Sequence, residues 1–375
     1  MSMKDNWKYI LFEDCLQKVK YTNKVLSSDY LKKGTYPIIS QEEAFVSGYW
    51  NNEDDVFRVQ KPVVIFGDHT RVLKYVDFDF VIGADGVKIL LPKDALNTKF
   101  LKYYLYWYNI PNLGYSRHYK LLKELYIPVP TLSIQEVIVA ELDKLNEILA
   151  KKREQLKELD RLGQAIFYDM FGDTIQNEKG WRIAKLKSLT LKIGSGATPK
   201  GGNENYKDEG ISLIRSLNVY NGDFKYKNLA FIDDIQAKAL DNVIVQKNDV
   251  LLNITGASVA RCCIVPEKIL PARVNQHVAI LRVDPELLDY NFLCSLLISN
   301  EYQSKLLQQS KSNGATREAL TKVFIESLEI VVPPLKFQRQ FVEKIECVNL
   351  QKQKIKQSIV EVQQLLDYTM NKYFG

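Results

Sequence analysis

Histidine is scarce: His69, His118 and His277 are the only three in 375 residues, too scattered for a local metal motif. The five cysteines, Cys15, Cys262, Cys263, Cys294 and Cys347, show no CxxC spacing. An odd count fits neither a disulfide framework nor a zinc ribbon, so buried free thiols are expected. No apolar run reaches membrane-spanning length, and the opening MSMKDNWKYI lacks the basic-then-apolar pattern of a secretory signal. A cytoplasmic protein without membrane association is expected. Charge of one sign is also in short supply: 51 Lys/Arg against 45 Asp/Glu leave +6, with a pI near 8.8. Such a balance permits an anionic partner without demanding one, because a nucleic-acid footprint lies in clustering rather than in the total.

What the chain does contain is sized for more than one core. Its 375 residues imply two domains or more, and 46% hydrophobic with 26% charged residues is ordinary globular composition. The organising feature is a long amphipathic helix present twice, over Ser133 to Gly172 and again over Lys336 to Gly375. LYIPVPTLSIQ, ending at Gln135, overlays LEIVVPPLKFQ, ending at Gln338, at a shift of 203 residues. The same shift pairs Phe171-Gly172 with Phe374-Gly375. An ancestral unit was duplicated.

Apolar side chains recur in steps of three and four along both copies. The first seam runs Leu142, Leu145, Leu149, Lys152, Leu156, Leu159, Gly163, Ile166. The second runs Ile345, Val348, Lys352, Ile355, Ile359, Val362, Leu366, Thr369. A seam that long predicts helices packed along their length as a coiled coil, with Lys152 and Lys352 as register-setting polar positions. Residues 133–172 carry six Lys/Arg against eight Asp/Glu, residues 336–375 seven against four. Opposite signs favour pairing of the two copies with each other. The first copy starts with a predicted capping box, Ser133 with Glu136, and a staple of Leu132 on Val137; the second, with Lys336 at the cap position, has lost it. Pro128, Pro130, Pro333 and Pro334 stiffen the chain where it runs into each helix.

Before the first helix, TYPIIS, PVVIFG and DFVIGADGVKILL read as strands bounded by turns. KYYLYWY (Lys102 to Tyr108) reads as core filling for a helix rather than a base-stacking platform. In the GYSRHYK turn that follows, Arg117, His118 and Lys120 are better candidates for phosphate. IFGDHT, with Asp68 and His69, resembles a fragment of a binuclear metallophosphatase site, but the further ligands such a site needs are missing. A strand and a polar loop is the preferred reading. The second globular stretch opens with Gly180-Trp181-Arg182, echoing Asn6-Trp7-Lys8, and both stretches carry Gly-x-x-Arg, as Gly114/Arg117 and Gly314/Arg317. Whole domains were therefore repeated. The loop GSGATPK (Gly194 to Lys200) fits neither a P-loop nor a dinucleotide fingerprint.

Taken together, these features resemble the specificity subunits of type I restriction-modification enzymes. The likeness covers essentially the whole chain: two target-recognition domains, each followed by a long helix introduced by I-x-V-P-x-L-x-x-Q, here Ile127 to Gln135 and Ile330 to Gln338. Gly196-Ala197-Thr198-Pro199, Asp249-Val250-Leu251-Leu252, Gly256 and Asn275-Gln276 look like landmarks of such domains. The first domain departs from them, with Tyr36-Pro37-Ile38, Gly67-Asp68-His69-Thr70 and Gly83-Ala84-Asp85-Gly86 instead, and resembles another branch of the type.

The resemblance implies an α+β fold: two mixed α/β recognition domains, 1–132 and 173–335, separated by two long helices, 133–172 and 336–375, packed as an antiparallel coiled coil. It implies a non-catalytic subunit that reads a bipartite, asymmetric duplex DNA target and docks two modification subunits, with restriction subunits completing the complex. In agreement, the chain has no S-adenosylmethionine loop, no Asn/Asp-Pro-Pro-aromatic motif and no Walker loop. S-adenosylmethionine, ATP and magnesium are expected on the partners, and no metal or catalytic residue here. A helix of about 38 residues spans roughly 57 Å, more than one DNA turn of about 34 to 36 Å, so its length is expected to fix the unread gap. Candidate DNA-binding residues in the first domain are Ser40, Gln41, Asp68, His69, Thr70, Arg71, Arg117, His118 and Lys120. In the second they are Thr198, Lys200, Arg215, Asn218, Thr255, Ser258, Arg261, Asn275, Gln276, His277 and Arg317, side chains able to read base edges or meet phosphates. The rival readings are a coiled-coil scaffold without DNA specificity and a metal-dependent phosphoesterase on Asp68 and His69.

Overall fold

A computed structural model describes residues 7–84, 86–114, 116–199, 202–312 and 318–375, without the side chains of 203 and 312. The chain forms two compact units, one of Met1–Glu154 with Ile355–Gly375, the other of Gln155–Lys354. Each boundary falls inside a long helix, so both units own a stretch of each.

In the first unit, β1 (Lys8–Leu11) pairs antiparallel with the strand that leads into the first long helix, Tyr126–Val129, in the register Lys8↔Val129. Between them the chain builds two small sheets. One is mixed: β2 (Tyr36–Ile39) lies parallel to the later strand Phe80–Gly83. The other is antiparallel: β3 (Val63–Gly67) is flanked by β4 (Leu73–Val76) on one side and Val87–Pro92 on the other. β3 is buried along its whole length, as a Val-Val-Ile-Phe-Gly run requires. Helix α1 (Thr98–Tyr108) covers this sheet, with Tyr103, Tyr104 and Leu105 buried as the core filling expected of them.

The second unit repeats the plan. Arg182–Lys185 pairs with Glu329–Val332, again next to a long helix. Ile211–Ile214 lies parallel to Ala272–Val274 in a mixed sheet. Val250–Asn253 and Val278–Val283 form the centre of an antiparallel one. The duplication legible in the helices thus extends through both sheets of each unit.

The two long helices span Leu132–Phe171 and Leu335–Phe374, 40 residues each. In the first unit, Ile138, Leu142, Leu145 and Leu149 from the start of one share a core with Leu366, Met370, Tyr373 and Phe374 from the end of the other. In the second, Phe167 and Phe171 at the end of the first helix pack on Phe341 near the start of the second, with ring centroids 5.5 and 5.4 Å apart. Start meets end in both, so the pair is an antiparallel coiled coil. Every seam residue is buried or half-buried, Leu142, Leu145, Leu149, Val348, Leu366 and Thr369 most fully. Leu156, Leu159, Ile345, Ile355, Ile359 and Val362 keep partial exposure. Lys352 reaches out of its seam position to Asp160 at 2.7 Å.

Two local expectations need correcting. The first helix does not start on a Ser133 capping box: the amides of Ile134 and Gln135 donate to the carbonyl of Thr131, and Ser133 Oγ lies 3.1 Å from Thr131 Oγ1. Leu132 and Val137 are both exposed, so no staple forms. Four cysteines are buried free thiols, but Cys347 is exposed on the outer face of its helix. Burial pushes the Cys15 thiol up to about 11.

Candidate nucleic-acid interface

In the first unit the loops that follow β2, β3 and α1 are laced into one cluster. Gln41 stands at its centre. Its side-chain oxygen accepts the His69 amide at 3.1 Å, and its main-chain carbonyl accepts the Thr70 hydroxyl. Gly67 and Gly86 make room for it: a Cβ on Gly86, whose φ is +90°, would sit 2.6 Å from Gln41 Oε1. Asp68 is equally committed. Its carbonyl accepts the His118 amide at 2.8 Å, and its carboxylate accepts the Tyr119 amide at 2.8 Å. His118 is fully buried, and its Nε2 accepts the Leu113 amide at 3.0 Å. Nδ1 therefore carries the ring proton and donates to the Asp68 carbonyl at 2.9 Å.

Ser40, Asp68 and His118 are buried, which corrects them from DNA contacts to the framework that shapes these loops, while Gln41 stays half-exposed at the centre of that framework. Arg71, in the left-handed region at φ +63°, gives one guanidinium nitrogen to the Ile110 carbonyl at 2.8 Å. Thr70, Arg117 and Lys120 are exposed and His69 half-exposed. Of the candidate residues in this cluster, those four and part of Arg71 remain accessible. Asp85 and Tyr115 lie outside the described residues.

The second unit shows the same division of labour. Gly196 is required where it stands, since a Cβ there would fall 1.8 Å from the Val274 carbonyl. Its amide donates to the carbonyl of Asn275, whose buried side chain accepts the His277 amide at 3.0 Å. Asn218 is also buried, donating to the Lys225 carbonyl at 2.8 Å and accepting the Arg215 amide at 3.1 Å. Asn275 and Asn218 are therefore corrected to loop braces as well. At the surface, Thr198, Gln276, His277 and Thr255 form a chain of hydrogen bonds across three loops, with Gln276 Nε2 3.2 Å from His277 Nε2. Ser258 is half-exposed beside Arg261. Lys200 and Arg317, with Gly314, lie outside the described residues.

Cations on this unit are braced by aromatic rings, a feature not expected from the sequence. Arg261 lies 4.5 Å over the Tyr220 ring, Lys268 3.8 Å over Tyr226, and Arg215 5.1 Å over Tyr206. The guanidinium of Arg215 also donates to the Asn228 carbonyl. A cation held on a π face keeps its charge outward with less freedom to lose on meeting a phosphate or base. The signal was available: YNGDFKYKN (Tyr220 to Asn228) places Asn221-Gly222, a strong hairpin turn, after Tyr220 and before an alternating Lys225-Tyr226-Lys227. The hairpin exists, with Val219–Tyr220 paired to Asp223–Phe224 and Gly222 at φ +67°.

Among the described residues no group of three or more His, Cys, Asp or Glu side chains could hold a metal ion. Among them, too, no helix is long and apolar enough to cross a membrane.

Comparison with known proteins agrees with this duplicated arrangement. The family model described as "Type I restriction modification DNA specificity domain" matches residues 4–160 and again 178–364. The chain is 24% identical over 346 residues to the EcoR124I/EcoR124II type I restriction enzyme specificity subunit of Escherichia coli, covering 87% of this chain and 82% of that one. It is 25% identical over 356 residues to the EcoBI specificity subunit of the same species, covering 85% and 71%. In three dimensions it is similar to the S subunit of a type I restriction-modification system from M. genitalium, with TM-score 0.61, 16% identity, and coverage of 100% of this chain and 98% of that one.

Proposed function

Because this chain belongs to the type I restriction modification DNA specificity family, matching it once in each half, we propose that it is the sequence-reading subunit of a restriction-modification complex. It recognises a bipartite DNA target and docks the subunits that act on it. The observation that carries this reading is the repeated unit with two unlike loop clusters. Each half has its own polar surface on its own pair of sheets, the first presenting Arg117, Lys120, Thr70 and His69, the second the chain of Thr198, Gln276, His277 and Thr255 beside the ring-braced Arg261. Two different reading surfaces on one chain mean two different half-sites, hence an asymmetric target.

The chain does no chemistry in this reading. Methyl transfer belongs to modification subunits, two per complex, that hold S-adenosylmethionine; ATP- and magnesium-dependent translocation and cleavage belong to restriction subunits. In the first unit Arg117, Lys120, Thr70, His69 and Arg71 meet the duplex. In the second Arg261, Arg215, Gln276, His277, Thr255, Thr198 and Ser258 do so, with Lys200 and Arg317 as further contacts. Exposed Lys and Arg neutralise phosphates, while Gln, Thr and Arg read base edges. Helices of 40 residues span about 60 Å, and their length sets the number of unread base pairs.

The decisive experiment is methylome sequencing of cells carrying this chain with its modification subunit. A two-part motif with a constant gap is expected. Exchanging residues 1–132 for another such domain should change one half only, and a change in both halves would overturn independent reading. Duplex affinity should fall steeply with salt as displaced counterions compete. A salt-independent affinity, or none with the modification subunits present, would favour a scaffold.

A further inference from the structure

Lys74 sits on β4 at a position where Val63, Ile65 and Val76 around it are all buried and apolar, and it is itself 4% exposed. A charged ammonium in such a place is costly unless its donors are met. It has three N–H groups, and three main-chain carbonyls take them: Ser40 at 2.9 Å, Ala44 at 2.5 Å and Phe45 at 3.4 Å. These carbonyls belong to the loop between β2 and the strand Gly48–Trp50.

The consequence for that loop is geometric. Drawing three of its carbonyls to one buried point turns its main chain inward and leaves Glu42, Glu43, Ala44 and Phe45 exposed on the outside. Further bonds close the ring. Ser40 Oγ lies 2.6 Å from Ser47 Oγ, and the Glu42 amide donates to Ser40 Oγ at 3.1 Å. Through Gln41 the same loop is tied to the 68–71 turn that carries His69, Thr70 and Arg71.

We propose that Lys74 is a positioning residue for half-site specificity: it fixes the Ser40–Ser47 loop as a rigid reading element of the first unit, without touching DNA. This rests on the reading of the first unit as a half-site recognition domain. An apolar residue would satisfy the strand equally well; only the loop needs the ammonium. With its carbonyls occupied, the loop offers side-chain acceptors and an aromatic ring, groups that meet exocyclic amino groups and the thymine methyl in a major groove.

The test uses the full chain co-expressed with its modification subunit and reads the methylated motif genome-wide. The first half-site is identified as the half that changes when residues 1–132 are exchanged. Lys74→Met should relax discrimination in that half by about tenfold, one base pair's worth, and leave the other half and the gap unchanged. A residue that merely stabilised the fold would lower methylation at both halves together, and that result would overturn the proposal. So would an unchanged motif. Should the Lys74→Met complex fail to assemble, the exposed double variant Glu42→Gln with Glu43→Gln decides. It should alter the first half alone, and an unaltered motif would overturn the reading loop. If the unsubstituted complex gave no two-part motif, the proposed function itself would fall, and this inference with it.

Discussion

Gln135 accepts the main-chain amide of Asn97 on its side-chain oxygen at 2.7 Å. Asn97 caps α1, and Gln135 lies in the first turn of the first long helix, so one buried amide locks the domain helix to the rod. Its nitrogen donates to the carbonyls of Pro130 at 2.8 Å and Ala95 at 2.9 Å. Gln338 repeats the device in the second unit, accepting the amide of Asp289, the cap of the helix Tyr290–Ile298, at 2.8 Å and donating to Pro333 at 2.7 Å. This explains why the repeated stretch carries glutamine at both positions: its amide offers two N–H donors and one carbonyl acceptor at that reach, as the three bonds of Gln135 use them.

Gln135→Leu should therefore destabilise the first unit by about 3 kcal/mol, since buried groups left unpaired cost about 1 to 3 kcal/mol each. Thermal unfolding followed by circular dichroism is the check. Gln338→Leu should do the same to the second unit. A loss below about 1 kcal/mol for either would mean that water replaces the amide.

Gly163 occupies a seam position in mid-helix. A Cβ there would meet only Ile345 Cδ1, at 3.6 Å, an ordinary contact. Gly163→Ala should raise stability by about 0.5 to 1 kcal/mol through helix propensity and a stiffer unfolded chain. A lowered melting temperature would show that the helices need closer approach than the methyl permits.

Asp249 is fully buried and forked by Arg282, Nε to Oδ1 and Nη2 to Oδ2, both at 2.8 Å. The same carboxylate accepts the Gln246 amide at 2.7 Å. Removing one partner strands the other, so Arg282→Met should cost the second unit about 3 to 5 kcal/mol. Replacing both members should cost less than this single change, and a double-mutant cycle reads the difference.

Asp55 gives a pH dependence with a definite sign. Hydrogen bonds from Asn23, then Trp50 and Asn52, hold its carboxyl below the usual aspartate value. A depressed carboxyl contributes stability that is fully present above the unfolded-state value and is lost as pH falls through the folded one. The first unit should therefore weaken in acid below about pH 4, and Asp55→Asn should flatten that part of its stability profile. An identical acid profile for the variant would assign the loss to other carboxyls.

On the DNA side, Arg117→Ala removes an exposed cation and should weaken binding to all duplexes alike, with a shallower salt slope. Tyr220→Ala removes the ring beneath Arg261 and should weaken the second half-site selectively. Titrations against duplexes altered in one half at a time distinguish the two. Equal effects on both halves from Tyr220→Ala would remove Arg261 from the reading surface.

The helices, their seam and the duplication were legible because they are periodic: apolar residues at alternating steps of three and four and a constant shift of 203 residues are statements about spacing, which a sequence records directly. What only the tertiary structure decided is which polar residues face outward. His118, Asn218 and Asn275 look like contacts in the sequence and are braces in the fold, because their side chains are spent on main-chain groups between 2 and 50 residues away. Lys74 looks like an ordinary strand lysine and is buried, because three carbonyls 29 to 34 residues earlier converge on it. Hydrogen-bonding capacity belongs to the residue type. Whether it is spent inside or offered to a partner depends on what the folded chain brings within about 3 Å.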